Sequence, residues 1–108
     1  MVRTAPRGLP LKVELLERHP LSSQLFSPLG GADWLIVVAP AGGLDPDAIV
    51  AFRARPNQAV NYRRGVWHHP LIALGGESDF LVIDRCGEGA DLDIERLAEP
   101  LLIESLGD

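Results

Sequence analysis

Two short blocks hold most of the side chains in this chain that could move a proton or bind an ion. They are "ELLERHPLSSQLFSPLGG" over 14–31 and "NYRRGVWHHPL" over 61–71. Of the 3 histidines, His19 lies in the first block, and His68 and His69 stand side by side in the second. Glu17 and His19 are two positions apart, so in an extended segment both point to one face, whereas the adjacent His68 and His69 point to opposite faces. One of that pair therefore faces a site and the other packs or supports it. Gln24 follows His19 across a proline-containing turn, where it can return beside it. Gly65, just upstream of His68, is the kind of bend that aims a side chain into a barrel mouth. Imidazole, carboxylate and amide in this array suit either a divalent metal or an acid–base site.

Each of these groups also has a plainer reading. Glu17 and Arg18 can be a solvated pair on an edge, and His19 a hydrogen-bonded structural residue beside Pro20. Asp79, Asp84 and Arg85 flank an apolar run and read as strand-end charges. Trp34 and Trp67 read as core aromatics rather than a substrate platform. Cys86, beside a glycine-rich loop, has no base next to it in sequence and receives no catalytic role.

The elements that must position these groups are short and extended. Pro 9 and Gly 11 punctuate the chain, and long helical periodicity is absent from the pattern. "LKVELLE" (11–17) alternates, with Leu11, Val13 and Leu15 on one face. "DWLIVVAP" (33–40) is a continuous apolar run, which suits a strand buried on both faces. Asp45-Pro46 can cap one short helical turn. "VAFRAR" (50–55), "QAVNY" (58–62), "HPLIAL" (69–74), "DFLVIDR" (79–85) and "PLLIES" (100–105) complete the strands, while "DLDIERLAEP" (91–100) reads equally as helix or as strand plus turn. Short strands with turn signals at this spacing predict an all-β sandwich or barrel, a single domain over 1–108.

Composition narrows the partners. The net charge of -5 argues against a nucleic-acid partner, since phosphate binding wants a basic face. One cysteine rules out an internal disulfide and a Cys-only zinc site. No apolar run approaches the roughly 20 residues that span a bilayer, and the N-terminal stretch carries no signal-peptide core, so no membrane role and a cytoplasmic location are expected. The first strand begins early in the sequence. A barrel opening on a core strand leaves an edge, covered either by a partner subunit, hence an expected homodimer, or by a leading segment outside this sequence.

The two blocks carry a resemblance. "LERHPLSSQLFSPL" resembles the first cupin motif, with Glu17 and His19 at its histidine positions and Gln24 at its glutamate. "RGVWHH" resembles the second, with Gly65 and His68 matching and Arg63 in place of the proline. More specifically, "ELLERHPLSSQLFSPL", "AVNYRRGVWHHPLIAL" and "DFLVIDRCGEGADLDIE" together resemble the ureidoglycolate lyase family of the cupin superfamily. Members of that family are longer, and this chain is similar to their C-terminal two-thirds. The resemblance implies a cupin-type, jelly-roll-like β-barrel, possessing fewer N-terminal strands than a full member. It also implies cleavage of ureidoglycolate to glyoxylate and urea in allantoin and purine catabolism.

That chemistry needs a base for the substrate hydroxyl, an acid for the departing nitrogen and a cation for the carboxylate. A histidine titrating near neutral pH exchanges protons both ways, and His68 is the first choice for the base, with His19 or Glu17 as its partner. Gln24 and Tyr62 suit the substrate's polar groups, Arg63 or Arg85 its carboxylate, and His69 the rim of the site. The resemblance implies a divalent metal such as nickel, with Glu17, His19, Gln24 and His68 as the ligand set, acting as a Lewis acid. The competing class is a cupin that binds a small molecule without this chemistry, or with another.

Overall fold

A computed structural model describes residues 2–4, 8–87 and 89–105. Along these residues run β1 (Val2–Thr4), β2 (Leu11–Arg18), β3 (Gln24–Pro28), β4 (Trp34–Ala39), a 3-10 turn (Pro46–Ala48) and β5 (Val50–Ala54). There follow β6 (Val60–Tyr62), β7 (Trp67–His68), β8 (Ile72–Ala73), β9 (Ser78–Ile83) and β10 (Asp93–Ile103). They form two antiparallel sheets, one ordered β1-β9-β3-β6, the other β10-β2-β7-β4-β5 with β8 also paired to β4. This is the expected all-β, cupin-like arrangement.

β4 is the keel of the core. Its even residues, Trp34 and Ile36, pack between the sheets with Phe26, Tyr62 and Phe80. Its odd residues, Leu35, Val37 and Ala39, pack on the opposite side with Leu11, Val13 and Trp67. A strand with apolar partners on both faces has no polar alternation to show, which is why "WLIVVA" is unbroken. Each large apolar side chain enclosed in this way contributes about 1.5–3 kcal/mol of burial.

Four elements depart from the sequence reading. The ambiguous "DLDIERLAEP" and the separate strand "PLLIES" are one edge strand, β10, running antiparallel to β2. Its register jumps between Arg96 and Leu101, so residues 97–100 bulge opposite Glu14 alone. Pro100 sits in that bulge, where a missing N–H breaks no ladder. Most β10 side chains are exposed, which erased the period-two signal. "HPLIAL" is likewise not continuous: Val38 pairs with His68 but Leu35 with Ile72, leaving residues 69–71 across from 36–37. Finally, β1 and β3 extend the strand set. β3 falls inside the polar-punctuated block 14–31, and short strands of that kind are supported by their neighbours more than by propensity.

Candidate active site

His68 owes its direction to its neighbour. Trp67 Nε1 donates to the Gly42 carbonyl at 2.9 Å. The Arg18 guanidinium lies over the indole ring, 4.5 Å from its centroid, and is itself held by Asp93 at 2.8 Å and the Gly42 carbonyl at 3.0 Å. With Trp67 fixed on one face of the sheet, alternation sends His68 to the other, between the sheets. There its ring stacks on Tyr62 at 4.4 Å with the planes 5° apart, takes the Phe26 edge at 6.0 Å, and lies 5.3 Å from the His19 ring.

The turn between β6 and β7 brings His19 to this cluster. Val66 N–H donates to the Arg63 carbonyl at 3.1 Å, and Gly65 takes φ +81°, a left-handed conformation that favours glycine. Gly65 N–H donates to the His19 carbonyl at 2.9 Å, so the turn both bends the chain and pins the end of β2 beside it.

A second row crosses the other sheet. Gln24 pairs with Tyr62 on β6, and Leu25 pairs with Ile83 on β9, so Asp84, the next residue, flanks Gln24 on the remaining side. Gln24 Nε2 donates to Asp84 Oδ1 at 2.5 Å, and Gln24 Oε1 faces His19 Nε2 at 2.8 Å. The other His19 nitrogen, Nδ1, donates to the Asp91 carbonyl at 2.7 Å. An ionised carboxylate only accepts, so the amide nitrogen belongs against Asp84 and the amide oxygen against His19. Both His19 nitrogens then face acceptors, and both bonds form when the ring carries a proton on each. The Asp91 carboxylate accepts from Ser22 Oγ at 2.5 Å and from Leu21 N–H at 2.6 Å, and these bonds hold its pKa below the usual carboxylate range.

His68 sits in a drier setting than His19. It is only 1% exposed, and burial lowers its pKa from 6.5 to about 4. At neutral pH it is therefore uncharged, which corrects the expectation of a histidine titrating near neutrality. Its Nδ1 lies 3.4 Å from the His69 carbonyl, a long bond that leaves the lone pair on Nε2. That nitrogen is enclosed and has no hydrogen-bond partner among the described residues. Burial also pushes the Tyr62 phenol up, so it remains a donor.

A cavity of about 200 Å³ opens beside these rings, lined by His19, Ser22, Asp84, Arg85 and Asp91. A broader hollow of about 610 Å³ shares Ser22, Asp84 and Arg85 with it and continues over Asn61. The structure thus gathers His19, Gln24, Tyr62 and His68, of which His19 reaches the cavity wall beside Arg85 while Gln24, Tyr62 and His68 are buried behind it. Glu17 is half-buried and paired across the ladder with His68, but is not part of that wall. Arg63 lies in the exposed turn, away from the wall as well. His69 donates Nδ1–H to the Pro70 carbonyl at 2.8 Å.

Sequence reasoning missed Asp84 and Asp91. For Asp84 the signal was present: it has the parity of Phe80 and Val82, the inward residues of β9. The implied metal set is not assembled. His19 Nε2 is committed to Gln24, and no three His, Cys, Asp or Glu side chains gather to hold a metal among the described residues. As placed, these residues do not fit a resident cation.

A model of the ureidoglycolate lyase family matches residues 1–104. The chain belongs to the ureidoglycolate lyase family. It is 54% identical over 101 residues to the ureidoglycolate lyase of Burkholderia mallei, a match covering 94% of this chain and 59% of that protein. The ureidoglycolate lyase of Rhizobium etli is 48% identical over 104 residues, 96% of this chain and 63% of its own length. That of Pseudomonas putida is 47% identical over 102 residues, 94% and 61% respectively. The chain spans about six-tenths of the length of these curated relatives.

Proposed function

We propose that this member of the ureidoglycolate lyase family cleaves ureidoglycolate to glyoxylate and urea. The observation that carries the reading is the packing of two histidine rings 5.3 Å apart, His19 on the cavity wall and His68 enclosed behind it, in a chain of this family. His68 is neutral with a partnerless Nε2 among the described residues, and the Gln24 oxygen held toward His19 Nε2 calls for an N–H at that position. Ureidoglycolate bears its hydroxyl and its ureido nitrogen on the same carbon. As the substrate seats, its polar groups replace the His19–Gln24 bond, and the parting of those two side chains opens the enclosed Nε2 of His68 to its hydroxyl. The hydroxyl proton passes to that nitrogen, the C–O bond becomes the aldehyde carbonyl, and the C–N bond breaks. His19 Nε2–H protonates the leaving nitrogen, which departs as urea.

A substrate carboxylate arriving beside the rings raises the basicity of His68 from its depressed value. Arg85 on the cavity wall holds that carboxylate, Gln24 Oε1 accepts a ureido N–H, and Tyr62 backs the His68 ring. No step passes through a metal. Urea and glyoxylate release from ureidoglycolate, measured with the purified protein and with His19→Gln and His68→Phe, tests the reading. Each variant should lose about 10²-fold to 10⁴-fold in kcat, the usual loss for an acid–base group. Turnover undiminished in both would refute it.

The assembly that accompanies this reading is a homodimer in the cytoplasm. Edge strand β5 leaves Val50 and Phe52 about half exposed, a surface a second copy can cover, and the unpaired Cys86 suits a reducing compartment. Light scattering showing a stable monomer at micromolar concentration would count against the dimer.

A further inference from the structure

We infer that Asp84 is a positioning residue, which sets the orientation of the Gln24 amide and through it the proton on His19 Nε2. An amide can face either way, and its two ends are nearly equal in shape but opposite in hydrogen bonding. If Gln24 turned its nitrogen toward His19, the ring nitrogen there would have to accept, and the cavity would lose an N–H at Nε2. Asp84 decides between the two. Its carboxylate lies 2.5 Å from Gln24 Nε2 and offers only acceptors, so the amide oxygen is left for His19 at 2.8 Å. The Asp91 carbonyl, at 2.7 Å from Nδ1, holds the far side of the same ring.

The chain Asp84, Gln24, His19, Asp91 is therefore directional, with each bond specifying the sense of the next. It follows the arrangement in which a proton-transfer group is oriented by a third residue behind it. One consequence bears on substrate choice. With its oxygen turned to His19, Gln24 offers an acceptor that an incoming N–H group can take over once it displaces the His19 bond, which suits a ureido compound. Asp84 is itself on the cavity wall, so it acts without the backbone having to move.

This inference rests on the proposed lyase reading for its kinetic arm only. The full chain is compared as wild type, Asp84→Ala and Asp84→Asn by kcat and KM for urea release, by thermal melting, and by ¹H–¹⁵N spectra of the histidine rings. The His19 signals are assigned by their loss in His19→Gln. Asp84→Ala frees the amide to turn, and kcat should fall about 10²-fold, the cost of a misplaced catalytic group. KM should rise as well, because the Gln24 oxygen that receives the ureido N–H is no longer held, and the melt should be nearly unmoved. Asp84→Asn still offers an oxygen to Gln24 Nε2 and should recover most of kcat. The His19 Nε2–H signal should be present in wild type and Asp84→Asn and lost in Asp84→Ala.

Retention of that signal in Asp84→Ala overturns the inference, whatever the activity. So does an Asp84→Asn variant as slow as Asp84→Ala with the signal intact, since Asp84 would then act by its charge on the substrate. A wild-type protein that releases no urea, yet whose His19 signal follows Asp84 in this pattern, sinks the lyase reading and leaves the positioning role standing.

Discussion

The buried, neutral His68 has a measurable effect on stability, and its sign follows from linkage. Its pKa falls from 6.5 to about 4 in the folded chain, with burial the main cause. Between those values the unfolded chain binds a proton that the folded chain refuses. Stability is therefore undiminished by this group above pH 6.5, falls as the pH drops toward 4, and levels off below. The whole drop is worth about 3 kcal/mol, of which somewhat under half is lost by pH 5.5 and most by pH 4.5. With the side chain almost fully enclosed, solvent screening takes little from these figures.

The perturbation to make is His68→Phe. Phenylalanine keeps a ring against Tyr62, removes the orphaned nitrogen and cannot titrate. Urea denaturation at pH 7.5, 5.5 and 4.5 reads the difference between the two proteins, in which the carboxylates common to both cancel. Near neutral pH they should agree to within about 1 kcal/mol. At pH 4.5 the variant should be the more stable by about 2–3 kcal/mol, a shift of very roughly 10–20 °C in Tm for a chain of this size. Parallel curves at all three pH values would refute the burial argument, because they would mean that His68 takes up its proton as easily folded as unfolded.

Three further outcomes are expected. Gly65→Ala forces a residue with a Cβ into φ +81° and should cost about 1–2 kcal/mol by denaturant melting, with a fall in kcat because the turn also pins His19. The new Cβ would meet Ala41 Cβ at 3.4 Å, so backbone strain rather than collision is the cause. His69→Ala should lose about 1 kcal/mol with the bond to Pro70 and keep its turnover; a dead variant with an unchanged melt would give the base role to His69 instead. Dialysis against a chelator should leave urea release unchanged, and activity lost in this way and restored by nickel would show that His19 and Gln24 part to form a metal site.

The sequence by itself determined the fold class and, through local alternation, the inward direction of His68. Turn signals between short apolar runs specified an all-β chain because glycine and proline act locally, and the unbroken "WLIVVA" announced a strand covered on both faces. The opposite-face argument for adjacent residues carried His68 inward, since the bulge at 69–71 begins only after it. Only the tertiary structure decided the rest. Whether "DLDIERLAEP" is helix or strand depends on its pairing with β2, a contact between residues some 75 positions apart in the case of Arg18 and Asp93. The same holds for the site. His19 and Gln24 were legible as neighbours, but Asp84 and Asp91 join them through bonds 60 and 72 residues long in sequence, which no local pattern encodes. Nor could composition say that His68 is neutral, because a pKa is set by the water that folding removes from around the ring.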